Sequence, residues 1–214
     1  MRLSLLLLAA CLATAATAQN TASVVAGGND NDATVDQSGE ALNDALVLQG
    51  GDTNSATVSQ STVPGPLQPV SFDTYVDQSG DWNVVSVTQV QAFGAPFGVT
   101  DGSASAVQSG DGNTATLTQT NTGVSGPGGA SISDLIVDQS GDGNTSTQWQ
   151  APENVGGFTL NLGEVYQTGD DNMATQVQQD AGTKSARIDQ GGTFNTASQL
   201  QDSNFGTWFF SATI

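Results

Sequence analysis

A frame of four residues recurs along the chain and constrains its fold more than any other feature. Each unit has glutamine at position 0, glycine at +2, asparagine at +5 and a second glutamine at +11. A first, degenerate unit has Ala26 in place of the first glutamine but keeps Gly28, Asn31 and Gln37. Such a period predicts a stack of similar structural units. Six further units keep all four positions, and they begin at Gln49, Gln78, Gln108, Gln139, Gln167 and Gln190.

Each unit has the pattern of a strand, a tight turn and a second strand. The turn before the asparagine is rich in serine, glycine and aspartate, as in residues 109–112, and these residues favour positive φ angles and local hydrogen bonds. The flanks alternate with period two, which is the period of a strand. In the unit that begins at Gln78, Phe72, Thr74 and Val76 fall on the same face as that glutamine. The repeated amides are therefore expected to point into the core.

An amide in the core needs hydrogen-bond partners, because burying it unpaired is costly. Identical amides stacked at the strand spacing of about 4.8 Å satisfy one another as a ladder. We therefore predict an all-β fold: a β-solenoid of about seven strand-turn-strand layers, which form two stacked parallel sheets and are amyloid-forming. The residues predicted for the ladders are Gln37, Gln49, Asn54, Gln60, Gln78, Asn83, Gln89, Gln108, Asn113, Gln119, Gln139, Asn144, Gln150, Gln167, Asn172, Gln178, Gln190, Asn195 and Gln201. The predicted turn glycines are Gly28, Gly51, Gly80, Gly110, Gly141, Gly169 and Gly192.

The first residues have the features of a secretory signal peptide, which we place at residues 1–18. Met1-Arg2 carries a positive charge, residues 3–12 are apolar, and Ala16-Thr17-Ala18 is a small-residue cleavage site. The chain from 19 to 214 is predicted to form the solenoid. Its units fall at about 20–37, 43–60, 72–89, 102–119, 133–150, 161–178 and 184–201, followed by a C-terminal strand at 207–214.

Charge and composition exclude several classes of function. The 21 acidic residues against 3 basic ones argue against binding to nucleic acid, and no later segment is apolar for long enough to insert stably in a membrane. The chain has no histidine, which removes the commonest general base and metal ligand. Its acidic residues follow the repeat and do not cluster around a cleft, so an enzyme of the parallel β-helix kind is not expected. We predict no catalytic residue, no cofactor and no metal site.

The segment from Gln49 to Gln60 reads Gln-x-Gly-x-x-Asn-x-Ala-x-x-x-Gln, and this pattern resembles the curlin repeat of curli subunits. The resemblance implies a secreted structural subunit, exported unfolded through an outer-membrane secretion pore. It also implies that copies assemble, with a curli-type nucleator, into extracellular fibres (a fimbrium) on the cell surface for biofilm matrix and adhesion. In such fibres Gln49, Asn54, Gln60 and their equivalents would form the ladders.

The sequence leaves the role within this class open. A major fibre subunit is favoured over a minor nucleator, although Lys184 and Arg187, two of the three basic residues, both fall in the last unit, where the resemblance places basic residues in nucleators. A monomeric β-solenoid adhesin on the cell surface, or an ice-binding solenoid, is the other alternative. Ice binding is disfavoured because the threonines look scattered along the sequence.

Two local features depart from the simple pattern. Gln148, Gln176 and Gln199 occupy inward positions where an apolar residue is usual, with Trp149, Val177 and Leu200 facing outward. This arrangement predicts either a locally shifted register or a surface for another molecule. An aspartate also occupies position +3 of five successive units, and these aspartates either favour turns or repel one another in a column. If they repel, acid or a divalent cation should speed assembly. The five residues are Asp52, Asp81, Asp111, Asp142 and Asp170.

Overall fold

The computed structural model describes residues 20–39, 42–62, 70–91, 100–121, 130–151, 158–179, 182–202 and 208–213. The predicted signal peptide and the middle of each proline-containing loop lie outside these residues. Within them, no helix is long and apolar enough to cross a membrane. The strands are β1 (Thr21–Ala26), β2 (Asp32–Ser38), β3 (Leu42–Gly50), β4 (Ser55–Thr62), β5 (Val70–Ser79), β6 (Val84–Gln91), β7 (Thr100–Ser109), β8 (Thr114–Asn121), β9 (Ala130–Ser140), β10 (Thr145–Ala151), β11 (Phe158–Thr168), β12 (Met173–Gln179), β13 (Lys184–Gly191), β14 (Thr196–Asp202) and β15 (Trp208–Thr213).

The strands alternate between two parallel sheets, as the repeat predicts. Sheet A contains the odd-numbered strands β1 to β15, and sheet B contains the even-numbered strands β2 to β14. Each odd strand and the even strand after it form one layer, so the predicted all-β solenoid of about seven layers in two stacked parallel sheets is confirmed. Strand β15 pairs with β13 and adds an eighth strand to sheet A.

The register of every neighbouring pair places equivalent residues of the repeat side by side. Gln78 of β5, for example, lies beside Gln49 of β3 and Gln108 of β7. The inner faces of the two sheets meet in a core of small and branched apolar side chains, which alternate with outward polar residues as a strand period of two requires. Among the most buried are Val47, Val58, Val76, Val87, Leu117, Val137, Val165 and Ile188.

The glycine at position +2 allows the turns of neighbouring layers to approach closely. Gly110 has a φ of 97°, which favours glycine. A Cβ atom on Gly110 would lie 2.3 Å from the carbonyl oxygen of Gly141 in the next layer, and Gly80 has the same relation to Gly110. Gly112, two residues along the same turn as Gly110, has a φ of 68° and open space around a Cβ atom.

This difference predicts opposite tolerance at two glycines in one turn. We expect Gly110→Ala to lower the free energy of unfolding by more than about 3 kcal/mol, because it combines an unfavourable φ with a backbone collision. Gly112→Ala meets only the unfavourable φ and should cost about 1 kcal/mol. Guanidinium titration followed by circular dichroism measures both. Equal costs for the two variants would show that the turns are not packed against each other.

Candidate functional site

The glutamines at position 0 form a continuous ladder inside sheet A. The side-chain Nε2 of each donates to the Oε1 of its equivalent in the next layer, over distances of 2.8 to 3.0 Å. These amides lie in the core, with 0 to 4% of each residue exposed. The members of the ladder, in order, are Gln49, Gln78, Gln108, Gln139, Gln167 and Gln190.

A second ladder runs through sheet B from the glutamines at position +11. Its donor–acceptor distances are 2.6 to 3.5 Å, and the longest joins Gln119 to Gln150. The direction is the same as in sheet A, with each Nε2 donating toward the C-terminal end of the stack. The members are Gln37, Gln60, Gln89, Gln119, Gln150, Gln178 and Gln201.

The same amides also join the two sheets. Gln139 of β9 donates from Nε2 to the backbone carbonyl of Thr114, at the start of β8. Gln150 of β10 donates in the opposite direction, to the carbonyl of Asp134 in β9. Each of these amides thus uses one N–H along the stack and one N–H across the core, which leaves no donor unpaired in a region without water-facing surface.

The asparagines at position +5 hold the turns by bonds to the backbone. Asn113 donates from Nδ2 to the carbonyl of Gly141 in the next layer and to the carbonyl of Ser109 in its own turn. Its Oδ1 accepts from the backbone N–H of Asn144 in the next layer. The predicted asparagine positions are therefore brought into register, but they mainly form side-chain-to-backbone contacts in place of an amide-to-amide ladder.

A third ladder occupies the last three layers. Gln148 donates to Gln176 at 3.2 Å, and Gln176 donates to Gln199 at 3.1 Å. The alternative of a locally shifted register is wrong, because β10, β12 and β14 keep the same pairing as the earlier strands. Gly163 of the facing strand makes room for these larger side chains: a Cβ atom there would lie 2.6 Å from the Oε1 of Gln176.

Two ladders begin with a buried oxygen that has no protein partner. The Oε1 of Gln49 is unpaired because the preceding layer has Ala26 at that position, and Ala26 pairs with Gln49 in register. The Oε1 of Gln148 is unpaired because Leu117 precedes it in the stack. Both cases show the same rule: an amide here is satisfied by an identical amide in the layer before it, and by little else.

The aspartates at position +3 form a column of hydrogen bonds along the turns. The Oδ1 of Asp111 accepts from the backbone N–H of Asp81 at 2.8 Å, and the Oδ1 of Asp142 accepts from the N–H of Asp111 at the same distance. Asn29 of the first layer donates in the same way to Asp52. Each carboxylate therefore satisfies the turn of the layer before it, a role that turn preference alone did not predict. The effect of acid or divalent cations on assembly stays a prediction.

Further acidic residues lie on the outer face of sheet A. Asp73 pairs in register with Asp44, and Asp101 lies on the next strand. Partial desolvation raises the pKa of the Asp73 carboxyl above its usual value of 3.8, and the charges of Asp101 and Asp44 raise it further; a hydrogen bond from Ser71 opposes them. This face therefore accumulates negative charge as the stack grows.

The two basic residues of the last layer have different environments. Lys184 lies in the core with 1% of the residue exposed, so it does not extend into solvent. Arg187 lies on the outer face of sheet A, where it pairs with Asp189 at 3.2 Å and stacks 4.4 Å from the ring centre of Tyr166. Among the described residues, no group of three acidic, cysteine or histidine side chains is placed to hold a metal ion.

One comparison with known proteins finds a match. A family model described as the curlin associated repeat matches residues 28–61, which span the end of the first layer and the whole of the second. No curated protein and no solved structure matches the chain. The ladders and turn contacts of the matched layer recur in the layers that follow it.

The ladders predict a large cost for removing one amide from the middle of the stack. Gln139→Leu should lower the free energy of unfolding by about 2 to 4 kcal/mol, because Gln108 loses its acceptor and Gln167 loses its donor in the core. Gln179→Leu, on the half-buried outer face of β12, is the matched control and should change it by less than about 0.5 kcal/mol. Similar losses in a urea titration would contradict a ladder of buried amides.

The acidic face of sheet A predicts that mild acid stabilises the solenoid. Because the pKa of Asp73 is raised by folding, the folded chain binds a proton that the unfolded chain does not bind just above pH 3.8. Stability should therefore rise as the pH falls through the folded pKa of Asp73, and level off below the unfolded one. Urea midpoints between pH 3.5 and 7 test this. Asp73→Asn should reduce the slope, whereas Asp36→Asn, whose register partners do not include an acid, should not.

Proposed function

We propose that this chain, which carries the curlin repeat, is a secreted structural subunit of curli-like amyloid fibres outside the cell, for biofilm matrix and adhesion. The observation that supports the proposal is the pair of glutamine ladders that run through the stack in one direction, from Gln37 to Gln201 and from Gln49 to Gln190. The function of such a subunit resides in its polymer, and no catalytic step is needed.

The ends of the stack provide the surfaces for growth. Strands β1 and β2 are the outermost strands at the N-terminal end, and β14 and β15 are the outermost ones at the C-terminal end. An outermost strand has one row of backbone N–H and C=O groups that face away from the sheet, and such a row is a template for another strand. A second copy added end to end would pair these rows and continue the parallel sheets.

The direction of the ladders makes the two ends complementary. In the inner layers, each sheet B glutamine donates one N–H to sheet A and the other to the next glutamine, as Gln178 does to Leu162 and Gln201. Gln201 donates to Ser185 of sheet A, which leaves the second N–H directed toward the end of the stack. Gln37 presents its Oε1 at the opposite end. Head-to-tail addition would therefore extend the sheet B ladder, whereas head-to-head addition would oppose two donors.

A second candidate function is a monomeric β-solenoid adhesin on the cell surface. Strand β15 favours it, because β15 pairs with β13 and covers that edge of sheet A, as an end cap would. A minor nucleator of the same fibres is the third reading, for which the basic Lys184 and Arg187 of the last layer are the relevant feature. A major subunit would act with such a nucleator and with an outer-membrane secretion pore.

Assembly of the purified chain from residue 19 to 214 separates these functions. We expect amyloid-dye fluorescence to rise after a lag, preformed fibres to abolish the lag, and electron microscopy to show fibres, because each added copy extends the ladders. A chain that ends at Asp202 and lacks β15 is the companion variant, and it should also form fibres.

The opposite result has a defined form. A β-rich chain of residues 19–214 that stays monomeric at high concentration would contradict the fibre subunit. If, in addition, only the chain without β15 forms fibres, then β15 is a cap and the adhesin is the better reading.

A further inference from the structure

The two outer faces of the solenoid differ sharply in charge. The outer positions of β4, β6, β8, β10 and β12, the central strands of sheet B, contain no charged residue. The acidic residues of sheet B are confined to its terminal strands β2 and β14, as in Asp36 and Asp202. The outer face of sheet A has acidic residues on each strand from β3 to β13, among them Asp44, Asp73, Asp134 and Glu164.

The uncharged face of sheet B is an array of hydroxyl groups. Strand β8 alone presents Thr114, Thr116, Thr118 and Thr120, which alternate with core residues. The register continues the array across the sheet, since Thr116 lies beside Thr147 of β10. The threonines look scattered in the sequence, and that reading is wrong, because loops of unequal length separate residues that the stack brings together.

The same face carries a column of apolar side chains toward its C-terminal end. Trp149, Val177 and Leu200 occupy equivalent positions of three successive layers and pair directly in register. Trp149 is 38% exposed and Leu200 is 63% exposed. Large apolar side chains exposed side by side on a flat sheet indicate a contact surface, whereas scattered ones do not.

We propose that the outer face of sheet B, defined by the outward side chains of β2 to β14, docks against the same face of a second copy of this chain. Two solenoids would then lie side by side with their B sheets packed together and their acidic A sheets outward. A two-fold axis along the stack places equal layers opposite each other, so the two apolar columns face one another. Both solenoids would also grow in the same direction.

Charge selects this face over the alternatives. The chain has a formal net charge of −18, so two copies repel unless they meet where charge is absent. Pairing through sheet A would bring two rows of carboxylates together, with Arg187 as the one basic residue among the described outward positions of that sheet. Pairing through sheet B buries hydroxyl and apolar groups and keeps the carboxylates in water.

The size of the face also fits a second copy. Seven strands at about 4.8 Å span about 30 Å, and seven residues of strand span about 23 Å. The face therefore measures about 700 Å² on each copy, or about 1,400 Å² for the pair, which is within the range of stable protein–protein interfaces. In a fibre, every added subunit would contribute this area again.

The test places the same pair of charges on either face. Thr116→Glu with Thr147→Glu puts two adjacent carboxylates on sheet B, and Ser105→Glu with Ile136→Glu puts them at paired positions on sheet A. Mass per unit length, measured on fibres by scanning transmission electron microscopy, should correspond to two chains per layer stack in the wild type and the sheet A variant. It should fall two-fold in the sheet B variant, because charges would face charges across the interface.

A second variant controls for damage to the fold. Trp149→Thr with Leu200→Thr introduces no charge and keeps β-branched side chains on the strands. It should also shift fibres toward single width, without changing the rate of seeded elongation. Equal mass per length in the wild type and in both sheet B variants would overturn the proposal.

The pairing rests on the proposed function only for its readout in fibres. If the chain forms no fibres, sedimentation of the soluble protein decides: a dimer that the sheet B variants abolish supports the pairing, and monomers throughout overturn it. An uncharged polysaccharide is the other possible occupant of a hydroxyl-rich face. Wild-type fibres of single width that bind microcrystalline cellulose, with binding lost only in the sheet B variants, would assign the face to polysaccharide and overturn the pairing.

Discussion

The hydrogen bond from one buried glutamine to the glutamine of the next layer is the constraint on which the rest of the structure depends. A buried primary amide has two donors and an acceptor to satisfy, and the core around Gln108 and Gln139 offers aliphatic side chains in all other directions. Parallel, in-register strands are the arrangement that places identical amides at hydrogen-bond distance. The sheets, the layer spacing and the tight turns all serve that arrangement.

The ladders also give the stack a direction. Each amide donates toward the C-terminal end, and each turn aspartate accepts from the layer on its N-terminal side. A layer in the middle is satisfied on both sides, whereas a layer at either end has groups that face away from the stack. The unpaired Oε1 of Gln49 shows how poorly this core tolerates a layer without the amide. Growth at the ends and packing through the uncharged face of sheet B use different groups, so they can vary independently.

Much of the fold could be predicted from the sequence, because the repeat and the period of two are local signals. The inward direction of Gln78, the two stacked sheets and the positive φ of Gly110 follow from one unit repeated. Features that depend on neighbouring layers could not be predicted as well. The separation of equivalent residues varies from 23 between Gln37 and Gln60 to 31 between Gln108 and Gln139, which hides columns on the outer faces.

The third ladder shows the same limit. Gln148 and Gln176 look like errors in a single strand, and only the pairing of β10 with β12 shows that they satisfy each other. The asparagines, likewise, have the spacing of a ladder but the reach of a turn. The shorter side chain of Asn113 reaches the backbone of Gly141 and Ser109, whereas glutamine reaches its equivalent across the layer.

The most direct test is solid-state NMR of fibres in which the glutamine side chains carry ¹⁵N and ¹³C labels. The account predicts dipolar contacts between the side-chain amides of Gln78, Gln108 and Gln139, and between Gln201 of one chain and Gln37 of another in fibres from mixed ¹⁵N- and ¹³C-labelled chains. Glutamine amides that contact only water or backbone carbonyls would contradict the central claim that identical buried amides hold the layers together.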